Sequence, residues 1–272
     1  MMKTELSAYL EMIDNAYSQC APEKFEGTLR SILQKALAEY GHDDLRRAVI
    51  LNEMGGYCRN THKFQEAEAA FLEALEIQKA LGGEQDPDYA TSLNNLAGLY
   101  RLSGEYGKSE ELFLKAIQIY GETLPEGHYL FLSSLNNLAL LYQSMSLFDE
   151  ASALLQEAAD ILKMKNDLES QAGYATSISN LAAVYMKMTR YREAEVLLNE
   201  ALNIYSKILG KEHTLYAAAL NNLGSVYYAT GDPQGAKEAY KTAFDICMQK
   251  LGPTHPETVK AQKNLTQVER RP

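Results

Sequence analysis

The sequence predicts an all-α solenoid assembled from tandem helix-turn-helix units, and three observations carry that prediction. One octapeptide recurs along the chain. Leu93-Asn94-Asn95-Leu96-Ala97-Gly98-Leu99-Tyr100 returns at 135–142, 178–185 and 220–227, with a weaker copy at Leu51-Asn52-Glu53-Met54-Gly55-Gly56. The residues that open the copies, Leu51, Leu93, Leu135, Ile178 and Leu220, lie 42, 42, 43 and 42 residues apart. A fixed period of this length marks a repeat array. Within a copy, Leu93, Leu96, Ala97 and Tyr100 fall at i, i+3, i+4 and i+7, which is one face of a helix. No stretch of the chain alternates apolar and polar residues as a strand does.

Taken in order, residues 1–47 read as a divergent pair of helices. Ser7 stands where a cap for the first would be, and Tyr9, Leu10, Met12, Ile13 and Tyr17 carry its apolar face. Pro22 opens the second, whose face is Leu29, Ile32, Leu33, Ala36, Leu37 and Tyr40, and Gly41 ends it. Five full units follow at 48–89, 90–131, 132–174, 175–216 and 217–258, each with two helical patterns separated by a break such as Ser103-Gly104-Glu105. Each second helix carries small residues at two fixed places. One is Ala67, Ser109, Ala151, Ala194 and Ala236; the other is Ala74, Ala116, Ala158, Ala201 and Ala243. Small residues there let helices approach closely. Connectors such as Leu209-Gly210-Lys211-Glu212-His213 and Leu251-Gly252-Pro253-Thr254-His255-Pro256 end the units, and the recurrence of His128, His213 and His255 at one place in them predicts a structural role. Residues 259–272 repeat only the first helix, with Gln262 and Thr266 where apolar residues stood, which suits a cap facing water. The whole chain, 1–272, is thus expected to form a single solenoid domain.

The chain's 26 basic and 36 acidic residues give a net charge of −10, which argues against a general nucleic-acid or anionic-membrane surface. Its three cysteines, Cys20, Cys58 and Cys247, stand far apart, with no zinc spacing. They read as reduced thiols. The N-terminal residues lack a signal-peptide pattern and no segment is long enough to span a bilayer, so a cytoplasmic location is expected. No metal, cofactor or catalytic constellation is evident, and none of the common nucleophile, zinc or phosphate-loop motifs occurs. The expectation is a protein that is not an enzyme.

The chemistry that remains lies on the first helices. With Leu93, Leu96, Ala97 and Tyr100 turned to the core, Thr91, Asn95, Gly98 and Leu102 point the other way, and Asn94 and Arg101 lie on the flank. The corresponding faces are Ser133, Asn137, Leu140 and Ser144; Thr176, Asn180, Ala183 and Lys187; and Ala218, Asn222, Ser225 and Ala229. Asn136 and Asn221 repeat Asn94. A helix back that merely met water would be rich in Lys and Glu. Asparagine costs about 0.5 kcal/mol against alanine inside a helix, so its recurrence suggests a compensating benefit. Two benefits are open: bridges between adjacent first helices, or hydrogen bonds to the backbone of an extended peptide. Arg59 and Arg101 flank this face and Lys187 lies on it, which favours an acidic or carboxylate-bearing ligand, while Met186 and Tyr228 offer apolar contacts.

The pattern Leu96-Ala97, Tyr100, Gly104, Tyr106, Ser109, Phe113 and Ala116 resembles the tetratricopeptide repeat place for place over residues 48–269. The 42-residue length, the Leu-Asn-Asn-Leu-Ala start and the Leu-Gly-x-x-His-Pro connector resemble the subtype of kinesin light chains. The resemblance implies a right-handed superhelical solenoid whose first helices line a concave groove. It also implies that Asn95, Asn137, Asn180, Asn222 and Asn264 form a ladder along a ligand's main chain. The expected function is a scaffold or adaptor that binds an extended, acidic segment of a partner protein, as a monomer. The alternatives are self-association into a homo-oligomer and sensing of a small molecule or peptide in the groove.

Overall fold

A computed structural model of the chain describes residues 22–41, 44–165 and 167–270. Among the described residues there are twelve helices and no strand. The first six are α1 (Pro22–Tyr40), α2 (Leu45–Asn60), α3 (Phe64–Leu81), α4 (Pro87–Ser103), α5 (Tyr106–Thr123) and α6 (Tyr129–Ser144). The others are α7 (Phe148–Lys163), α8 (Leu168–Lys187), α9 (Tyr191–Ile208), α10 (Thr214–Thr230), α11 (Pro233–Leu251) and α12 (Pro256–Glu269). The even-numbered helices are the first helices of their repeats and the odd-numbered ones the second helices. The helix expected over residues 7–19, its Ser7 cap and Cys20 lie outside the described residues.

The chain divides into two compact units, Met1–Leu141 and Tyr142–Pro272. In the first, α2 packs on α3 and α4 on α5, and each hairpin packs on the one before it. Leu29 and Ile32 of α1, Ile50 of α2, Phe71 of α3, Leu99 of α4 and Tyr120 of α5 are fully enclosed. In the second unit the same scheme joins α7 to α12, around Ile178, Leu198, Leu202, Tyr205 and Val226. All five alanines of the later small-residue position, Ala74, Ala116, Ala158, Ala201 and Ala243, are wholly buried. At the earlier position Ser109 is also buried, and its hydroxyl donates to the Ala97 carbonyl at 2.8 Å. A buried polar group is thereby satisfied without widening the helix contact.

In two hairpins the close approach of an aromatic ring requires a glycine. An added Cβ at Gly55 would stand 2.5 Å from the Phe71 ring, and one at Gly224 would stand 2.8 Å from the Tyr240 ring. The repeats with alanine at this place, Ala97, Ala139 and Ala182, have Phe113, Leu155 and Leu198 in the facing position.

Two kinds of turn join the helices. Within a repeat, one residue takes a left-handed conformation: Gly104 and Gly231 in two repeats, but His62, Ser146 and Thr189 in the other three, at φ near 61°. Between repeats, a side chain caps the next first helix. Asp86 accepts from the Asp88 amide at 2.7 Å, with Pro87 in the first turn. The recurring histidines take the place of Asp86. The Nδ1 atoms of His128, His213 and His255 accept from the amides of Leu130, Leu215 and Glu257 at 3.2–3.3 Å. Each satisfies one of the amides that a helix start leaves without an intrahelical partner.

Candidate functional site

The asparagines predicted to face away from the core separate into two sets with different surroundings. The flank set is engaged between helices. Asn94 Oδ1 on α4 accepts from Ser134 Oγ at 3.1 Å and from Asn137 Nδ2 at 3.4 Å, both on α6. Asn52 Nδ2 on α2 donates to Ser92 Oγ on α4 at 2.6 Å, and that hydroxyl donates to Gln78 Oε1 of α3 at 2.6 Å. Asn221 on α10 is only 3 % exposed and accepts from Asn264 Nδ2 of α12 at 2.9 Å. Asn221 was expected to line the groove, but this places it inside the packing of neighbouring first helices. Asn136 Nδ2 donates to the carbonyl of Leu132, one turn back, at 2.9 Å.

The second set is half-buried and turned outward. Asn95 on α4 and Asn222 on α10 have no hydrogen-bond partner among the described residues. Asn137 spends its amide donor on Asn94, and Asn180 on α8 is half-buried and partnered. Lys187 is exposed at the last position of α8. Met186 and Tyr228 are half-buried, and the Tyr228 hydroxyl accepts from Gln267 Nε2 at 3.4 Å. Three residues of the sequence-derived face point elsewhere. Thr91 and Thr176 hydrogen-bond through their hydroxyls to those of Tyr120 and Tyr205 at 2.8 and 3.0 Å, and Ser225 Oγ accepts from the Tyr240 hydroxyl at 3.0 Å. Each long tyrosine side chain, on the second helix of the same repeat, reaches round to the side of the first helix and captures a residue that a helical wheel assigns to the open face.

The basic flank has a specific geometry. Arg59, near the end of α2, lays its guanidinium against α4, with Nη1 3.1 Å from where a Cβ on Gly98 would stand. No side chain occupies that place. Arg101, one turn beyond Gly98 on α4, is also half-buried. Neither arginine has an acidic partner among the described residues. Burial lowers the pKa of Arg59, and the charge of Arg101 lowers it further. Burial likewise lowers the pKa of Arg101, against a smaller upward pull from Tyr106. Leu102, next to Arg101 in sequence, and Leu140 on α6 are exposed. The sequence marked both arginines as cations at the rim. It did not mark Gly98 as the seat that lets one of them lie flat.

Elsewhere, an open cleft of about 570 Å³ lies between α10 and α12, lined by Tyr228, Val259, Lys263, Gln267 and Arg270 among others. Another of about 410 Å³, with Tyr89, Leu93 and Tyr100 in its floor, lies between α3, α4 and α5. Among the described residues no three His, Cys, Asp or Glu side chains are placed to hold a metal ion, and no helix is long and apolar enough to cross a membrane. Cys58 and Cys247 are buried and free, with burial pushing both thiols up.

The sequence matches the tetratricopeptide repeat over residues 46–122, 104–164 and 173–249. No curated protein matches it. Among solved structures, BtubC (BKLC) from P. vanneervenii is 25 % identical with a TM-score of 0.70, over 88 % of this chain and 95 % of that one. A candidate kinesin light chain of nearly identical TPR-like repeats from Podosopora anserina is 26 % identical with a TM-score of 0.63, over 75 % of this chain and 95 % of its own. The apo quorum sensor NprR from B. thuringiensis shares the fold, with a TM-score of 0.68 over 97 % of this chain and 68 % of that one, at 13 % identity.

Proposed function

The chain belongs to the tetratricopeptide repeat family, in its kinesin-light-chain-like subtype, and from that premise we propose that it is a non-catalytic adaptor holding an extended, acidic segment of a partner protein against its first helices. The observation that carries this is the outward asparagine set. Asn95 and Asn222 offer unpaired amides at equivalent places in the two compact units. An extended peptide has unpaired backbone N–H and C=O groups, and a primary amide supplies one acceptor and two donors to meet them. Main-chain hydrogen bonds then give affinity, and the side chains alongside set preference. Arg59 and Arg101 make that preference anionic in the first unit, and Lys187 does so in the second. The chain's overall charge of −10 disfavours nonspecific capture of acidic proteins, so recognition has to be local.

The test is a panel of fluorescent extended peptides titrated against the full chain and against the Asn95→Ala/Asn222→Ala double variant. A lost amide leaves a desolvated peptide group unpaired, at about 1–3 kcal/mol, so the variant should bind at least about fivefold more weakly. Equal binding by the variant, or no peptide bound by the natural chain, refutes the proposal. Light scattering on the free chain separates it from the self-association alternative, since the adaptor works as a monomer.

A further inference from the structure

The arginine pair is the feature of this molecule with the least internal explanation. Arg59 and Arg101 come from successive first helices and are both half-buried; the Arg59 guanidinium lies at Gly98, one turn before Arg101 on α4. No carboxylate among the described residues answers either charge, although acids outnumber bases in the chain. Six other basic side chains behave differently. Arg30, Arg46, Lys63, Lys79, Lys108 and Lys115 all sit against carboxylates. Two half-buried like charges on neighbouring helices without a counterion are an unfavourable arrangement on their own. It becomes favourable when an anion is brought in.

We propose that Arg59 and Arg101 form a subsite for one dianionic phosphoryl group, carried by a phosphoserine or phosphothreonine of the bound segment. The inference rests on the peptide-binding reading above and specifies what the acidic group is. A carboxylate brings one negative charge and two oxygens, and so leaves one guanidinium uncompensated. A phosphoryl group carries about −1.5 to −2 at neutral pH, with three acceptor oxygens, so it answers both charges and accepts paired hydrogen bonds from each planar guanidinium. Gly98 matters because its missing side chain lets Arg59 lie on the helix surface rather than swing into solvent. Asn95, one turn earlier on α4, stands where it can hold the backbone beside the modified residue. Leu102, exposed and next to Arg101 in sequence, fits a segment with an apolar residue next to the phosphorylated one.

Two measurements test this. In the first, the full chain is titrated with inorganic phosphate and, at equal ionic strength, with acetate, while the arginine side-chain N–H resonances are observed. Phosphate should move two arginine signals and bind about tenfold or more tightly than acetate, and the one signal left in Arg59→Gln or in Arg101→Gln should no longer respond. In the second, serine-containing extended peptides are compared in phosphorylated and unmodified forms. The phosphorylated form should bind about tenfold or more tightly, and the advantage should vanish in either arginine variant. If both forms bind equally and in an Asn95-dependent way, the phosphoryl subsite is refuted and the adaptor reading stands. If inorganic phosphate or a nucleotide binds the pair but no peptide binds, the phosphoryl group belongs to a small molecule, and both the peptide source and the adaptor reading are refuted. Acetate matching phosphate also refutes the proposal.

Discussion

Replacing either of two adjacent asparagines by alanine should have effects of opposite sign on stability. Asn94 and Asn95 have the same side chain, the same helix and nearly the same exposure class. Asn94 Oδ1, however, accepts from Ser134 Oγ, and Ser134 is only 1 % exposed. In Asn94→Ala that hydroxyl loses its acceptor where water does not reach it, at about 1–3 kcal/mol. Asn137 Nδ2 also loses a contact, but at 3.4 Å and half-exposed it was weak, and solvent replaces it. Alanine returns about 0.5 kcal/mol as the better helix former. The net expectation is a loss of about 1–2 kcal/mol for Asn94→Ala and a gain of about 0.5 kcal/mol for Asn95→Ala. Chemical denaturation followed by far-UV circular dichroism reads the difference. Whole curves must be compared, because repeat arrays do not always unfold in one step. The double variant Asn94→Ala/Ser134→Ala should cost less than the sum of its singles, since the orphaned donor is then absent. If Asn94→Ala and Asn95→Ala unfold together, or if the double variant is additive, the division of labour argued for the two asparagines is wrong.

The remaining predictions concern single positions. Gly55→Ala should destabilise by about 1–3 kcal/mol, because the enclosed Phe71 ring cannot retreat, whereas Gly98→Ala should stabilise by up to about 1 kcal/mol, because only a guanidinium end must shift; melting curves of the pair give the contrast. Thr189→Gly should raise stability by about 0.5–1 kcal/mol, as relief of a left-handed β-branched residue outweighs the extra freedom glycine has when unfolded; an unchanged midpoint would show the turn to be unstrained. His213→Ala should cost about 1 kcal/mol through loss of the cap on α10, and His213→Asp should restore it; equal midpoints for the two variants would remove the capping role. Ala116→Leu and Ala158→Leu should each cost about 1–3 kcal/mol by overpacking a closed helix contact, measured by denaturant midpoint.

The parts of the molecule that were legible in the sequence are those that every repeat must solve in the same way. Ala116 and Ala158 were readable as close-contact positions because the packing that excludes a larger side chain recurs every 42 or 43 residues. The connector histidines were readable as structural for the same reason, though not as caps, since that role depends on Nδ1 meeting an amide two residues on. What the sequence hid depends on the neighbouring helix. His62, Ser146 and Thr189 occupy a left-handed position that only Gly104 and Gly231 announce by their identity. Thr91 and Thr176 leave the open face because tyrosines 29 residues further on reach them. Arg59 finds its seat at Gly98, in the next repeat, where no local pattern predicts it. The paired asparagines show the same principle most sharply. A helical wheel separates Asn94 from Asn95 by 100°, and that angle decides which amide meets the next first helix and which stays open. Asn94 and Asn221 accept across to the next first helix from Asn137 and Asn264, whereas Asn95 and Asn222 stay open because the residue before each of them has taken that bond.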